Sequence, residues 1–178
     1  MYKLRLAGAR RVGKTALVNR YIDGSFEESY IPTVGYDFRN RDEEVVCGGV
    51  STRVRVQVWD IMGTEKIGFT PPAYYRRSAA VLFVYDASDA KSFRALRAIC
   101  TDAQTRLAGE DTLFFLVGTK SDLTSDSKVS DEDVSNFIRG FKLDAHFVVS
   151  SKLDSDGGVR DMFLDITKRL VDRRGVVE

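Results

Sequence analysis

The fold turns on Gly8-Ala9-Arg10-Arg11-Val12-Gly13-Lys14-Thr15. These residues fit the spacing G-x-x-x-x-G-K-[ST]. They follow Tyr2–Ala7, a short apolar run that reads as a strand. They open Lys14–Asp23, which reads as a helix with Ala16, Leu17, Val18 and Tyr21 on or near its buried side. A loop of this length turns successive backbone N–H groups inward around a phosphate chain, at the positive end of a helix. In that arrangement Lys14 reaches the terminal phosphates and the Thr15 hydroxyl takes one Mg²⁺ position. The plain alternative is a glycine-rich turn without a ligand, and the strand–loop–helix context weighs against it.

Outward from the loop, strand and helix alternate. Residues 38–47 and 52–59 read as strands flanking Gly48-Gly49, a hairpin signal. In the second, Val54, Val56 and Val58 alternate with Arg53, Arg55 and Gln57, the pattern of a half-buried antiparallel strand at a sheet edge. Runs 79–85 and 113–117 are continuously apolar, as strands covered on both faces are. Helices are expected over 92–107, over 130–139 from Ser130 or Asp131, and near 158–173, with a short strand at 146–149. The expectation is an α/β domain: six strands, mostly parallel with one antiparallel edge strand, and helices on both faces. Ligands of such sheets bind beyond the carboxyl ends of the strands.

Composition narrows the class. A chain of 178 residues with 43% apolar content fits a single domain spanning 1–178. With 27 basic against 26 acidic residues, no global charge pulls it toward nucleic acid. Cys47 and Cys100 are too few and too far apart for a disulfide framework or a zinc site, and read as free thiols of a reducing compartment. The N-terminal MYKLRLAGARRVGK has no apolar signal region, and run 79–85 is far short of the roughly 20 residues that span a bilayer. TKRLVDRRGVVE carries no cysteine, hence no prenylation box. A monomer in the cytoplasm is expected, peripheral to membranes only through partners or a further tail.

Three further motifs fall at strand ends. Asp60-Ile61-Met62-Gly63 follows the strand at 52–59, about 45 residues after the phosphate loop. An aspartate there holds Mg²⁺, and the glycine lets its N–H approach a third phosphate. Thr119-Lys120-Ser121-Asp122 ends the strand at 113–117. A carboxylate at that point accepts both N1–H and N2–H₂ of guanine, a donor pair that adenine lacks, while the Lys120 stem lies over the base. Ser150-Ser151-Lys152 offers a backbone N–H toward the guanine oxygen. Without the phosphate loop, the first two read better as plain surface turns, and Ser150-Ser151-Lys152 by itself says little. His146, the only histidine, reads as a structural hydrogen-bonded residue.

Together these pieces resemble the Ras superfamily of small GTPases over essentially the whole chain, and the Rab branch most. Ile31-Pro32-Thr33-Val34-Gly35-Tyr36-Asp37-Phe38 is similar to the Rab first switch, and Trp59-Asp60 to its approach to the second. Tyr74-Tyr75-Arg76 and Tyr85-Asp86 followed by Ser92-Phe93 look like Rab as well. The resemblance implies GTP or GDP with Mg²⁺ as ligands, and Thr15, Thr33 and Asp60 as metal ligands. It implies nucleotide contacts from Gly8, Arg10, Arg11, Val12, Gly13, Lys14, Thr15, Ala16, Phe26, Thr33 and Gly63. At the base it adds Thr119, Lys120, Asp122, Leu123, Ser150, Ser151 and Lys152. Lys14, Thr33, Gly63 and Thr64 occupy the catalytic positions. Phe26 either packs edge-on against guanine or is core. Phe38, Trp59 and Tyr74 match an aromatic triad presented to effectors, or else pack on one another. Effector, exchange-factor and activating proteins are the implied partners, in vesicle trafficking.

Three departures bear on catalysis. Thr64 stands where the family has the glutamine that orients the attacking water, and it is two carbons shorter. Arg10-Arg11 replaces small residues in the loop. Arg10 either crowds the approach of water and of a helper protein's arginine, or touches phosphate as an arginine finger in cis. Arg11 occupies a position where glycine supplies backbone freedom cheaply. Met62 replaces an alanine. A slow GTPase is therefore expected, against a nucleotide-binding scaffold with negligible turnover or, less well matched, a P-loop kinase or ATPase.

Overall fold

The computed structural model describes residues 1–29, 33, 35–61, 72–126, 129–153 and 158–174. In chain order the elements are β1 (Tyr2–Ala7), α1 (Lys14–Asp23), β2 (Tyr36–Cys47), β3 (Val50–Ile61), α2 (Pro72–Tyr75) and β4 (Ala80–Asp86). There follow α3 (Ala90–Arg106), β5 (Leu113–Thr119), a 3₁₀ turn (Ser121–Asp126), α4 (Asp131–Phe141), β6 (Ala145–Val148) and α5 (Gly158–Arg174). The six strands form one sheet in the order β2-β3-β1-β4-β5-β6. All neighbours are parallel except β2 and β3.

The period of two along the strands divides the core into two layers. Leu4, Leu6, Val56, Val58, Leu82, Val84, Phe115 and Val117 face α1 and α5, meeting Leu17, Tyr21, Phe163 and Ile166. Ala7, Val81, Phe83, Tyr85 and Leu116 face the other way, onto Phe93, Leu96 and Cys100 of α3 and Phe137 of α4. β4 is buried at every position, as its unbroken apolar run requires. Cys100 is sealed in this layer, and Cys47 is likewise a free thiol.

One expectation needs correction. The strand at 52–59 is not at the edge: β3 lies between β2 and β1, and β2 is the edge strand. The alternation that suggested an edge is confined to the first half of β3, where Arg53 and Arg55 reach solvent and Val54 and Val56 do not. From Val56 onward the strand is covered on both faces. Gln57, expected outside, is buried, donating to Asn40 Oδ1 (3.1 Å) and accepting the Trp59 indole N–H (2.7 Å). The β2–β3 turn is Gly48-Gly49, with Cys47 opposite Val50 and φ of +56° and +81° at the glycines. Two consecutive left-handed residues make the tight hairpin whose twist suits antiparallel strands. The helix expected from Ser130 or Asp131 starts at Asp131, capped by the Ser130 hydroxyl accepting from Asp133 N–H (3.1 Å).

Candidate functional site

The carboxyl ends of β1, β3, β4 and β5 converge on a cleft with two contiguous cavities. One of about 460 Å³ is lined by Arg10, Arg11, Gly13, Lys14, Thr15, Ala16, Asn19, Phe26 and Thr33, among others. The second, about 340 Å³, shares Gly13, Ala16, Phe26 and Lys120 with it and adds Thr119, Asp122, Leu123, Ser151 and Lys152. Arg10, Arg11, Lys14, Thr15 and Thr33, expected at phosphate, and Asp122, Leu123, Ser151 and Lys152, expected at a base, thus line two halves of one cleft.

The phosphate half is shaped by backbone demands. A Cβ on Gly8 would sit 2.2 Å from the Val84 carbonyl oxygen, so only glycine lets the loop leave β1 against β4. Gly13 (φ +94°) sets the start of α1, and Arg11 adopts a left-handed φ of +64°. That position favours glycine, and a non-glycine residue there costs on the order of 1 kcal/mol. Lys14 is 6% exposed and lies back along the loop, its Nζ donating to the carbonyls of Gly8 (2.9 Å) and Ala9 (2.7 Å). Arg10 and Arg11 are exposed on the rim of the cavity.

Behind the lysine, three oxygen-bearing side chains meet. Thr15 Oγ1 donates to Asp60 Oδ2 (2.5 Å) and lies 2.9 Å from Thr33 Oγ1. Asp60, the last residue but one of β3, is buried, and among the described residues its Oδ1 has no hydrogen-bond partner. Burial pushes the Asp60 carboxyl above the ordinary carboxylate range, against the opposing pull of the Thr15 hydroxyl and the Lys14 charge. A buried, incompletely satisfied carboxylate beside two hydroxyls is a hard-oxygen donor set that suits Mg²⁺.

The base half is held differently. Lys120, at φ +58°, sends its ammonium to Asp86 Oδ2 (2.6 Å) at the end of β4. Burial alone would push the Asp86 carboxyl up, but bonds from Lys120 and Ser88 outweigh it and hold it below the usual range. Asp122 Oδ1 accepts from the Ser150 hydroxyl (2.6 Å), whose oxygen in turn accepts from the N–H groups of Lys152 (3.2 Å) and Leu153 (3.0 Å). Thr119 Oγ1 lies within hydrogen-bond distance of the Val12 (2.5 Å) and Tyr85 (2.9 Å) carbonyls, joining the halves. Half-buried Phe26 lines both cavities, and exposed Leu123 borders the base side.

Not every expected residue is brought here. Met62, Gly63 and Thr64, and the first-switch residues Ile31, Pro32 and Val34, lie outside the described residues. The aromatic triad is not one surface: Tyr74 is 5% exposed, its hydroxyl within hydrogen-bond distance of the Leu6 (3.1 Å) and Trp59 (3.0 Å) carbonyls, to one of which its proton is donated. A tyrosine whose hydroxyl lies against strand carbonyls inside the fold is core. Phe38 (47% exposed) does stack on half-buried Trp59 at 5.0 Å, and Tyr36 stacks on Trp59 at 5.8 Å, so among the described residues Tyr36 and Phe38 form an exposed aromatic pair laid on Trp59. His146 is structural, its Nε2 3.1 Å from the Tyr85 hydroxyl, and burial lowers its pKa.

Sequence reasoning missed Asn19, Arg20 and Ser150's orienting role. In the sequence Asp86 stands out only within the Rab-like pair Tyr85-Asp86. Arg20 was findable, since it lies one helical turn after Ala16 on the cleft side of α1. Asp86 also ends a strand at the carboxyl edge, where such sheets place function.

A family model described as "Ras family" matches residues 3–172. The chain belongs to the Ras family. Its relatives place it in the Rab branch of the small GTPases, a group of GTP-binding switches. It is 34% identical to human Ras-related protein Rab-37 over 97% of this chain and 74% of that one. Identity to Dictyostelium discoideum Ras-related protein Rab-8B is also 34%, over 97% and 83%. To Schizosaccharomyces pombe GTP-binding protein ypt4 it is 30%, over 97% and 73%. The sheet, with one antiparallel strand pair and the glycine-rich loop between β1 and α1, is the P-loop small-GTPase fold. Among the described residues no helix is long and apolar enough to cross a membrane.

Proposed function

We propose that this Rab-type GTPase binds GTP and GDP with Mg²⁺ in the cleft and acts as a nucleotide-dependent switch in vesicle trafficking, hydrolysing GTP slowly. The observation that carries the reading is the opposition of two chemically distinct ends: Thr15, Thr33 and Asp60 at one, Asp122 held by Ser150 at the other. The first suits a metal-bound phosphate chain, the second a base with adjacent N–H donors. Bound Mg²⁺ would neutralise charge on the β- and γ-phosphates. The functional unit is a single domain acting as a monomer in the cytoplasm, reaching membranes through partners or a lipidated tail.

The chain's residues do the rest. Asp122 accepts from guanine, the Lys120 stem covers its face, and Phe26 closes the pocket edge. Gly8, Val12, Gly13, Ala16, Thr119, Leu123, Ser151 and Lys152 shape the walls. The Lys14 ammonium turns from its own loop carbonyls to the terminal phosphates, a displacement of charge-assisted bonds of similar kind. In hydrolysis a water oxygen bonds to the γ-phosphorus as the bond to the β-bridging oxygen breaks; GDP leaves, and the water proton ends on inorganic phosphate. Lys14 and loop N–H groups stabilise the developing charge. Gly63 offers its N–H to the γ-phosphate, while Thr64 is too short to hold both the water and a γ-oxygen. Loss of that phosphate releases Thr33 and Gly63, the difference effectors read. Tyr36, Phe38 and Trp59 are the surface offered to those effectors.

A scaffold with negligible turnover is the second reading, favoured by the rim position of Arg10 and Arg11 together with Thr64. Extraction of the nucleotide that co-purifies, followed by competition between GTP and ATP, tests the main reading. Guanine nucleotide should be retained and resist a large excess of ATP; equal displacement by ATP overturns it. Single-turnover hydrolysis by native protein, Thr64→Gln and Arg10→Gly then separates slow enzyme from scaffold. A slower Arg10→Gly identifies Arg10 as a finger in cis.

A further inference from the structure

The base end of the cleft has a wall and a mouth, each tied by a side chain outside the recognition motifs. In the wall, Arg20 of α1 donates from Nε to the Ser151 carbonyl (2.7 Å) and from Nη1 to the Gly24 carbonyl (2.6 Å). Gly24 ends α1 in a left-handed conformation and leads into the segment bearing Phe26 and Glu28. One guanidinium therefore grips both the base loop and the chain that carries the ring beside the base. Across the mouth, Glu28 Oε1 is paired with Lys152 Nζ, and both residues line the 340 Å³ cavity. Their side chains are 72% and 50% exposed, whereas Arg20 is half-buried.

We propose that Arg20 and the Glu28–Lys152 pair form a clamp that sets how long a nucleotide stays bound, with the ion pair as the part that opens. This deepens the reading above and rests on a guanine nucleotide being the occupant. The division of labour follows from exposure. A solvent-exposed pair of long side chains is weak and screened by salt, so it breaks and reforms readily. A guanidinium holding two carbonyls in a fixed fork is partly shielded and keeps its geometry. Contacts present in the closed cleft but lost on the way out slow release without entering base recognition. Arg20 is thus a positioning residue, and Glu28 a latch.

The test is release of tritium-labelled GDP, chased with unlabelled GDP, at low and high NaCl. Glu28→Gln should release GDP about two- to fivefold faster at low salt. The excess should vanish near roughly 1 M salt, where screening has already weakened the native pair. Glu28→Lys should be faster still, and adding Lys152→Glu to it should slow release relative to Glu28→Lys alone, since the coupling resides in the pair. Arg20→Met should release about tenfold faster at either salt, with Arg20→Lys in between. Guanine over adenine preference should not move in Glu28→Gln. Where Arg20→Met fails to fold, Arg20→Lys carries the same test. GDP binding with native release rates in Glu28→Gln and Arg20→Lys overturns the clamp alone. A Glu28→Gln excess that survives high salt overturns the ion pair as the latch. Failure to bind any guanine nucleotide overturns the parent reading and the clamp's ligand with it.

Discussion

The two ends of the cleft resolve the problem of buried polarity in opposite ways. At the base end each recognition side chain already has a protein partner: Lys120 has Asp86, and Asp122 has Ser150. At the phosphate end Asp60 keeps an oxygen without a partner among the described residues, and Lys14 leans on its own loop's carbonyls. The base end is therefore preorganised, and its ligand pays little to order it. The phosphate end holds unmet electrostatic demand, which the proposed divalent cation and anionic chain would satisfy together. On the proposed function, discrimination would belong to the first and most of the binding affinity to the second.

The largest blow to this contrast should come from Lys14→Ala. With no other buried cation at the loop, GDP affinity should fall on the order of 100-fold or more by isothermal titration calorimetry. Retained affinity would mean that the phosphate end is not the main source of affinity. Next, Asp122→Asn should weaken guanine nucleotides by about 2–3 kcal/mol, because an amide cannot accept both guanine donors, and should favour xanthine nucleotides. Ser150→Ala should cost only about 1 kcal/mol and leave base preference in place, as expected of a residue that orients the carboxylate.

Asp60 sharpens the comparison through stability. Its folded pKa is raised, so its contribution is fully present below the ordinary carboxylate pKa and is lost as pH rises through the raised value. Metal-free native protein should therefore lose stability over that interval, and Asp60→Asn should lose less. The same variant, melted without Mg²⁺ near neutral pH, should match or exceed native Tm, with a gain of up to about 2–4 °C per kcal/mol of relieved charge. Added Mg²⁺ should raise only the native Tm. A native Tm indifferent to both pH and Mg²⁺ would contradict the unmet demand at Asp60. The smallest effect is a control away from the cleft: Tyr74→Phe should lower stability by about 1 kcal/mol in urea, leaving nucleotide affinity unchanged. Unchanged stability would mean that the hydroxyl does not hold the Leu6 and Trp59 carbonyls.

Much of this was readable in the chain. The loop from Gly8 to Thr15 and the carboxylates Asp60 and Asp122 announce themselves because their chemistry needs fixed spacing after a strand. The strands were legible where burial is uniform, as in β4. They were misread where it changes along one element: Arg53 and Arg55 advertise an edge, while Gln57 two positions on is interior. Tyr74 escaped because an aromatic spaced like its neighbours does not reveal whether its hydroxyl has found carbonyls to cap. The partners Asp86, Arg20 and Glu28 lie far in sequence from Lys120, Ser151 and Lys152. Only tertiary structure brings such pairs together.

Thr119 carries a consequence beyond its own bonds. One buried hydroxyl reaches the phosphate loop at Val12 and the end of β4 at Tyr85, so the spacing between the two subsites is built into the scaffold. The cleft is thus a bivalent receptor of fixed span. Guanosine and tripolyphosphate offered separately each forfeit the advantage of the other, whereas the joined molecule meets its second subsite at a high effective concentration. The whole nucleotide should bind far more tightly than the product of its fragments' separate affinities suggests.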